Sequence, residues 1–213
     1  MHTGQLDVTA LNLKPLIADA GLITLGAANG LILAEALRPS AAVAASILAS
    51  VTGSAMVATL TGPVAARDLV AGHKVLTRDN GYAAVRGVQV LSGEAGLLVA
   101  AGVLGNPHDM VLPTRAGVMI SGPSFETLFG AREVIVPAGA LLDGTSVRPM
   151  SQDEHFESVV IDLHDAELLW ADDVALSCPA KNVAARPVLS GRDAAVAARL
   201  AGFGTATRAA DAA

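Results

Sequence analysis

The sequence predicts an all-β fold of short strands, with a short helix near the end of the chain. The first observation is that apolar runs recur nine times between residues 55 and 171, separated by Gly, Pro, Asn or Asp. Many short strands divided by such turn residues are typical of all-β folds. The second observation is composition, because 52% of the 213 residues are hydrophobic but only 3% are aromatic. We therefore expect a core of Ala, Val and Leu.

The predicted strands follow these runs. They lie at residues 55–59, 73–77, 85–91, 97–100, 110–112, 117–120, 133–136, 158–163 and 167–171. After Pro187, the Ala-rich segment Ser190–Leu200 predicts a helix. Ser190 is the expected N-cap, and Asp193 three residues later gives a pattern close to a capping box. Residues 205–213 predict a loose tail.

Residues 1–49 predict an N-terminal extension that contains short apolar strands, at 6–8, 10–13 and 22–25. The turn signal Asn29-Gly30 precedes a further apolar run at 31–37. The Ala-rich segment Ser40–Leu48 is compatible with a strand or with a helix capped by Ser40, and its periodicity does not separate the two. Apolar strands with unpaired edges tend to pair with other chains, so we expect an oligomer or a larger assembly.

Charge and cysteine content exclude several classes of function. The net charge is −6 and the pI is near 5.2, which argues against nucleic acid as a partner. Cys178 is the single cysteine, so the chain has no internal disulfide, and we expect a small buried side chain there. The sequence has no His-Glu-x-x-His, paired Cys-x-x-Cys, Asp-rich calcium loop or Walker-type glycine loop. We therefore expect neither a metal nor another cofactor.

One stretch requires a test for a membrane span. Residues 39–66 carry no charge over 28 positions, which is long enough to cross a bilayer. However, the stretch contains two prolines, two glycines and many Ser and Thr residues, so we expect strands instead. The first seven residues lack the basic region of a secretory signal. The expected location is the cytoplasm or a released particle.

Three stretches carry a family resemblance: Ser50–Val64, Arg67–Gly81 and Ser121–Gly144. In order and spacing they resemble the bacterial Hint family, the self-cleaving module of inteins and Hedgehog proteins, whose members open Cys-Phe-Thr-x-Gly-Thr. The resemblance implies a pseudo-twofold horseshoe of β-strands over residues 50–178. It divides the chain into the extension 1–49, the Hint-like domain 50–178, and a C-terminal helix and tail at 179–213.

The resemblance also implies a catalytic site, and here its residues are replaced. A Hint domain opens with Cys or Ser, whose side chain attacks the preceding carbonyl, while a later Ser-Pro-Gln-His strand supplies a hydroxyl and a histidine. Here the opening residue is Ser50, after Ala49. A gapless count places the histidine position at Ala116 and the hydroxyl position at Pro113, whereas alignment on the proline places Arg115 there instead. An arginine stays protonated and cannot act as the base.

The histidines elsewhere in the chain are weak candidates to replace the missing catalytic histidine. His108, in the turn-prone stretch Asn106–Asp109, is the best candidate to rescue the site. His73 predicts a solvated side chain at the start of a strand, and His164 lies near a late family histidine that aligns alternatively with Ala166. His2 and His155 match no site pattern. Intein splicing would require a terminal Asn followed by a nucleophile, but Asn182 is followed by Val183.

The sequence therefore predicts a catalytically inactive Hint-like module, structural or interaction-forming, within a multi-subunit assembly. A base or adaptor subunit of a phage-like particle or surface appendage suits a small acidic chain. Two alternatives stay open. One is an autoprocessing domain that cleaves before Ser50, and the other is an accessory domain that binds a ligand. Low aromatic content disfavours sugar stacking in the second alternative.

Overall fold

A computed structural model describes residues 50–151, 154–181 and 183–203, and within these ranges the chain is mostly β. The strands are β1 (Ser50–Thr52), β2 (Met56–Thr59), β3 (Gly62–Ala65), β4 (Lys74–Thr77), β5 (Gly81–Leu91), β6 (Gly96–Val99), β7 (Met110–Pro113), β8 (Gly117–Ser121), β9 (Glu133–Pro137), β10 (Val147–Pro149), β11 (Ser158–Leu163), β12 (Glu167–Ala171) and β13 (Val174–Cys178). The helices are α1 (Phe125–Phe129) and α2 (Gly191–Leu200), and 3-10 turns cover Ala66–Asp68 and Ala138–Leu141.

Ten strands form one curled antiparallel sheet. Nine of them follow the order β1-β11-β5-β4-β2-β12-β13-β8-β9. The tenth strand, β3, pairs with β2 and lies outside this linear order. The 11-residue strand β5 is central to the curl, because its first residues pair with β4 and its last residues pair with β11. A register shift at Asp162/Leu163 interrupts the second pairing. Irregularities of this kind increase strand twist and bend a sheet.

A second, three-stranded sheet has the order β10-β6-β7. It packs with the large sheet around one main core. The largest fully buried side chains of this core include Leu97, Leu112, Phe125, Leu141 and Leu169. A smaller cluster of Ile135, Leu168 and Val188 forms a separate buried patch. Leu168 and Leu169 are consecutive in β12 and face different clusters, so β12 is buried on both of its faces.

The hairpin between β12 and β13 has a tight turn at Asp172 and Asp173. Both residues have positive φ, 46° and 61°. Positive φ at both central residues is the requirement of a type I′ turn, whose twist matches that of the flanking strands. Aspartate tolerates this left-handed region better than most residues. The turn places Asp172 next to the start of β2, where the Met56 amide donates to its Oδ1 atom at 3.0 Å.

All nine apolar runs coincide with strands, so the all-β prediction is confirmed. Four strands had no run of their own in the sequence analysis: β1, β3, β10 and β13. The five-residue helix α1 was also not expected. The helix predicted at Ser190–Leu200 is confirmed as α2, and Ser190 is its N-cap, but the hydrogen bond typical of a capping box is absent. Ser190 has the extended backbone of an N-cap (φ −141°, ψ 166°), yet its side chain makes no capping hydrogen bond.

The segments at the two ends of the chain are outside the described ranges. The strands predicted within residues 1–49 and the tail predicted at 205–213 therefore lie outside the described residues. Of the uncharged stretch 39–66, the described part forms β1, β2, β3 and the start of a 3-10 turn. In the described ranges no helix has the length and apolar character needed to cross a membrane.

Candidate functional site

Strand β1 places Ser50 inside the molecule. Ser50 is 1% exposed and pairs with Val160 of β11. Its hydroxyl oxygen is buried and has no hydrogen-bond partner among the described residues. A serine is activated as a nucleophile when a neighbouring base accepts its proton. The described residues provide no such contact at Ser50.

Strand β1 lies against β7, the strand that leads into the replaced positions. The Thr52 hydroxyl donates a hydrogen bond to the carbonyl of Val111, which is the second residue of β7. The fold therefore brings together the two segments that the family resemblance implies for the site. One carries Ser50, and the other carries Pro113, Arg115 and Ala116.

Ala116 offers only a methyl group at its position. The residue is fully buried, and its backbone is fixed on both sides. The Ala116 amide donates to the carbonyl of Pro113 at 2.9 Å, and the Ala116 carbonyl accepts from the amide of Ala138 at 2.8 Å. A methyl group can neither accept a proton nor polarise a peptide bond. Pro113, at the end of β7, has no hydroxyl to assist.

Arg115 is engaged in an ion pair. Its side chain is 61% exposed, and Nη2 lies 3.2 Å from Oε1 of Glu94. The other oxygen of Glu94 accepts a hydrogen bond from the hydroxyl of Ser158, which begins β11. Ser158 in turn pairs with Thr52 across the β1–β11 ladder. A carboxylate thus joins Arg115 to the strand that pairs with β1.

The described histidines lie at separate places. His73 precedes β4, and its Nδ1 atom accepts from the Val70 amide at 3.4 Å. His164 follows β11 and pairs with Asp165, with 3.1 Å between Nδ1 and Oδ1. His108 is exposed on the loop before β7, and His155 lines a different cavity. None of them makes a hydrogen bond to Ser50, since the Ser50 hydroxyl has no described partner. His2 is outside the described residues.

Cys178 ends β13 and is 2% exposed. Burial raises the pKa of its thiol to about 12, and the negative charges of Glu167 and Asp162 add to the shift. A thiol with such a high pKa is protonated at neutral pH and is a poor nucleophile or metal ligand. Among the described residues, no group of three or more His, Cys, Asp or Glu side chains is placed to hold a metal ion.

Sequence reasoning missed a buried carboxyl group at Glu167. This residue begins β12, is 5% exposed and pairs across the ladder with Cys178. Asn80 donates to its Oε1 at 2.9 Å, while Oε2 is buried without a partner in the described part of the chain. The available signal was the position of a glutamate at the start of the apolar run Leu168–Ala171.

A cleft of about 310 Å³ lies beside β1. It opens between residues 52–56 and residues 107–111, with Asp172 of the β12–β13 turn at its margin, and is called here the β1–β7 cleft. His108, the histidine that the sequence analysis favoured, lines this cleft together with Thr52. The fold therefore places His108 on the same side of the molecule as β1, at an exposed position of the cleft.

Comparison with protein families matches residues 50–178 to the family described as Hint domain. These residues make up more than half of the chain, and they include Ser50, Arg115, Ala116 and His108. The match begins at Ser50 and ends at Cys178. A search of curated proteins gave no match.

Solved structures with similar folds include an intein-like domain and two inteins. The bacterial intein-like domain from Clostridium thermocellum is 16% identical, with a TM-score of 0.45, over 60% of this chain and 96% of that one. The MchDnaB-1 intein is 13% identical, with a TM-score of 0.43, over 59% of this chain and 97% of that one. The gp41-1 intein is 14% identical, with a TM-score of 0.41, over 59% of this chain and 94% of that one.

Proposed function

Because the chain belongs to the Hint domain family, we propose that it is a Hint domain without self-cleaving activity that serves as a structural or interaction module in a multi-subunit assembly. The observation that carries the first half of this proposal is the state of Ser50. Its hydroxyl is buried and has no hydrogen-bond partner among the described residues. The position expected for the catalytic histidine holds the buried methyl group of Ala116 or the ion-paired guanidinium of Arg115.

Self-cleavage would need more chemistry than these groups provide. Attack of the Ser50 oxygen on the carbonyl of Ala49 requires a base to remove the hydroxyl proton and a donor to stabilise the developing oxyanion. General-base catalysis contributes roughly 10²- to 10⁴-fold to such a step. A guanidinium stays protonated, and alanine has no titratable group, so neither residue replaces the base.

Autoprocessing before Ser50 is the alternative, and one observation favours it. Ser50 retains a hydroxyl at the start of β1, and β1 lies against β7 through the bond from Thr52 to Val111. In this alternative, His108 would have to reach the Ala49–Ser50 bond from the β1–β7 cleft. The ion pair between Arg115 and Glu94 favours the inactive domain, because it engages the side chain at one of the two positions expected for the histidine.

Intact mass spectrometry separates these two functions. The purified full-length chain is incubated with hydroxylamine, which cleaves the ester that Ser50 would form. We expect one species near 21.4 kDa, with no fragment that begins at Ser50. A fragment that forms in the wild-type protein and is absent from Ser50→Ala would establish the autoprocessing alternative.

The assembly half of the proposal rests on the sheet edges and the composition. Strand β3 pairs with β2 only among the described strands, and its four residues are partly or fully exposed. Strands paired on one side can accept a further strand from another chain. The apolar residues of segment 1–49 supply candidate strands for such contacts. A base or adaptor subunit of a phage-like particle or surface appendage is the form of assembly that we propose.

Native mass measurement tests the assembly. We expect the full-length chain to form an oligomer, and deletion of residues 1–30 and 205–213 to shift the native mass toward the monomer. The β-sheet signal in circular dichroism should persist, because the strands described here lie outside the deleted segments. A full-length protein that is already a monodisperse monomer, without a co-purifying partner, contradicts an assembly module and favours an isolated ligand-binding domain.

A further inference from the structure

The β1–β7 cleft has an apolar lining whose residues differ in exposure. Ala55 and Met110 are buried, at 3% and 6% exposure, and form a fixed surface. Met56 is 44% exposed, so its side chain stands at the opening. Methionine is flexible and polarisable, and it adapts to irregular apolar partners. The cleft is thus suited to an apolar side chain that packs between Met56 and the fixed surface.

Two carboxylates are fixed at the margin of this lining. Oδ1 of Asp109 accepts from the amide of Ala101 at 2.9 Å, and Oδ1 of Asp172 accepts from the amide of Met56 at 3.0 Å. The second oxygen, Oδ2, of each carboxylate has no hydrogen bond to the described part of the chain. The backbone bonds orient both groups, so binding a cation would require little further ordering.

This combination of features defines the chemistry of an occupant. The apolar surface favours an aliphatic side chain, and the fixed carboxylates favour a cation beside it. A volume of about 310 Å³ accommodates a few side chains, at the lower end of ligand pockets. Peptides supply both groups on adjacent residues, whereas a free metal ion would leave the apolar surface unused. The net charge of −6 also favours a basic partner.

We propose that the β1–β7 cleft binds a peptide segment of a partner protein, with a lysine or arginine next to an aliphatic residue. The cation pairs with Asp109 and Asp172, and the aliphatic side chain packs against Met56, Ala55 and Met110. This inference rests on the proposed function, because it assigns the surface through which the inactive module binds its partner. Its test is nevertheless separate from the test of self-cleavage.

A random octapeptide library displayed on phage is the probe. Immobilised full-length protein should enrich peptides that contain Lys or Arg beside Leu, Ile, Val or Met. Binding of a synthetic peptide from the enriched set is then measured by fluorescence anisotropy. Absence of enrichment, or enrichment without a basic residue, overturns the proposal. Selected peptides that match the chain's own Leu37-Arg38-Pro39 would indicate that the cleft binds residues of this chain. That result would overturn the proposal of a separate partner protein.

Three variants locate the binding surface. Asp109→Asn and Asp172→Asn keep the oxygen that accepts from the backbone but remove the charge, and asparagine tolerates the positive φ at position 172. Met56→Ser removes the adaptable apolar side chain. We expect each to weaken peptide binding by about tenfold, as for loss of a charged hydrogen bond or a buried methionine contact.

Matched controls lie on helix α2. Asp193→Asn removes an exposed carboxylate, and Val196→Ser removes an apolar side chain that is 39% exposed, close to the 44% of Met56. Both should leave peptide binding unchanged. Equal losses in the cleft and control variants overturn the proposal. Intact mass spectrometry of the same samples separates the peptide-binding inference from the inactive-domain proposal. An uncleaved chain that binds no basic peptide refutes the inference and leaves the inactive-domain proposal intact.

Discussion

At the scale of single residues, Cys178 illustrates how position controls chemistry. The sequence shows a lone cysteine, and the fold places it opposite Glu167 in the β12–β13 ladder, at 2% exposure. Burial raises the pKa of the thiol to about 12, and nearby carboxylates contribute further. The prediction of a small buried side chain is confirmed. The effect of Glu167 was not predictable, because it depends on the register between two strands.

The Cys178 thiol should be protected from a disulfide reagent such as DTNB. We expect no reaction in the native protein at pH 8 and one equivalent after unfolding in guanidinium chloride, because the reagent needs an exposed thiolate. Rapid reaction of the native protein would contradict the burial of β13.

The Cys178 thiol also makes the stability of the fold depend on pH. Its folded pKa of about 12 exceeds the ordinary 9.0, so its contribution to stability is complete below pH 9 and is lost as pH rises toward 12.

Asp143 gives the opposite pH dependence. Burial raises the pKa of this carboxyl, but hydrogen bonds from the Ser146 hydroxyl and from the amides of Val147 and Thr145 outweigh it and lower the pKa to about 2. A lowered folded pKa stabilises the protein above the ordinary value of 3.8, and the contribution disappears as pH falls through about 2. Asp143 and Cys178 therefore both contribute fully to stability only at a pH above the ordinary pKa of Asp143, 3.8, and below that of Cys178, 9.0.

At the scale of elements, a strand was predictable when its apolar residues formed a distinct run between turn residues. Strands with a clear apolar run, such as β2 and β11, were found from the sequence. Strand β13 is buried at all five positions, so it lacks the alternation that marks a strand with one solvated face. Strand β3 contains Gly62 and Pro63, which are turn residues by composition. Strand β10 has three residues, two of them exposed.

Gly96 tests whether β6 packs as closely as described. A Cβ atom at Gly96 would lie 2.6 Å from Cε1 of Phe156 and would also overlap Sδ of Met150. Gly96→Ala should therefore lower the free energy of unfolding by about 1–3 kcal/mol through overpacking. Gly87 is the matched control, because a Cβ there meets nothing within 4 Å. Urea unfolding curves compare the two variants, and equal stabilities would contradict the packing around β6.

At the scale of the whole molecule, ion pairs connect segments that are distant in sequence. Glu133 of β9 pairs with Arg78 and with Arg186, and Arg186 also pairs with Asp79. Burial raises the pKa of Glu133, but hydrogen bonds from Arg186 and Arg78 outweigh it, and the net pKa is lowered. These pairs join the β4–β5 turn, β9 and the segment before α2. No local pattern indicates such contacts, so the sequence could not predict them.

The assignment of site positions stays a prediction, but the contact between their segments agrees with it. The order of the family motifs identified Ser50, Arg115 and Ala116, and their segments meet in the structure through Thr52 and Val111. Glu94 was not identified, because its partners Arg115 and Ser158 follow it by 21 and 64 positions. Asp109 and Asp172 were also missed as a pair. Their proximity to one cleft depends on how β1, β7 and the β12–β13 turn assemble.

We propose that this Hint domain lacks the groups that self-cleavage needs, and the variant Ser50→Cys is the sharpest probe of that proposal. A thiol is a much better nucleophile than a hydroxyl, so this variant reveals any remaining ability of the fold to activate the Ala49 carbonyl. The measurement is the intact mass of the variant after prolonged incubation with hydroxylamine. We predict a single uncleaved chain, because Ala116 and Arg115 still supply no base. Release of a fragment that begins with the introduced cysteine would show that the fold can still activate the Ala49 carbonyl and would refute the inactive-domain proposal.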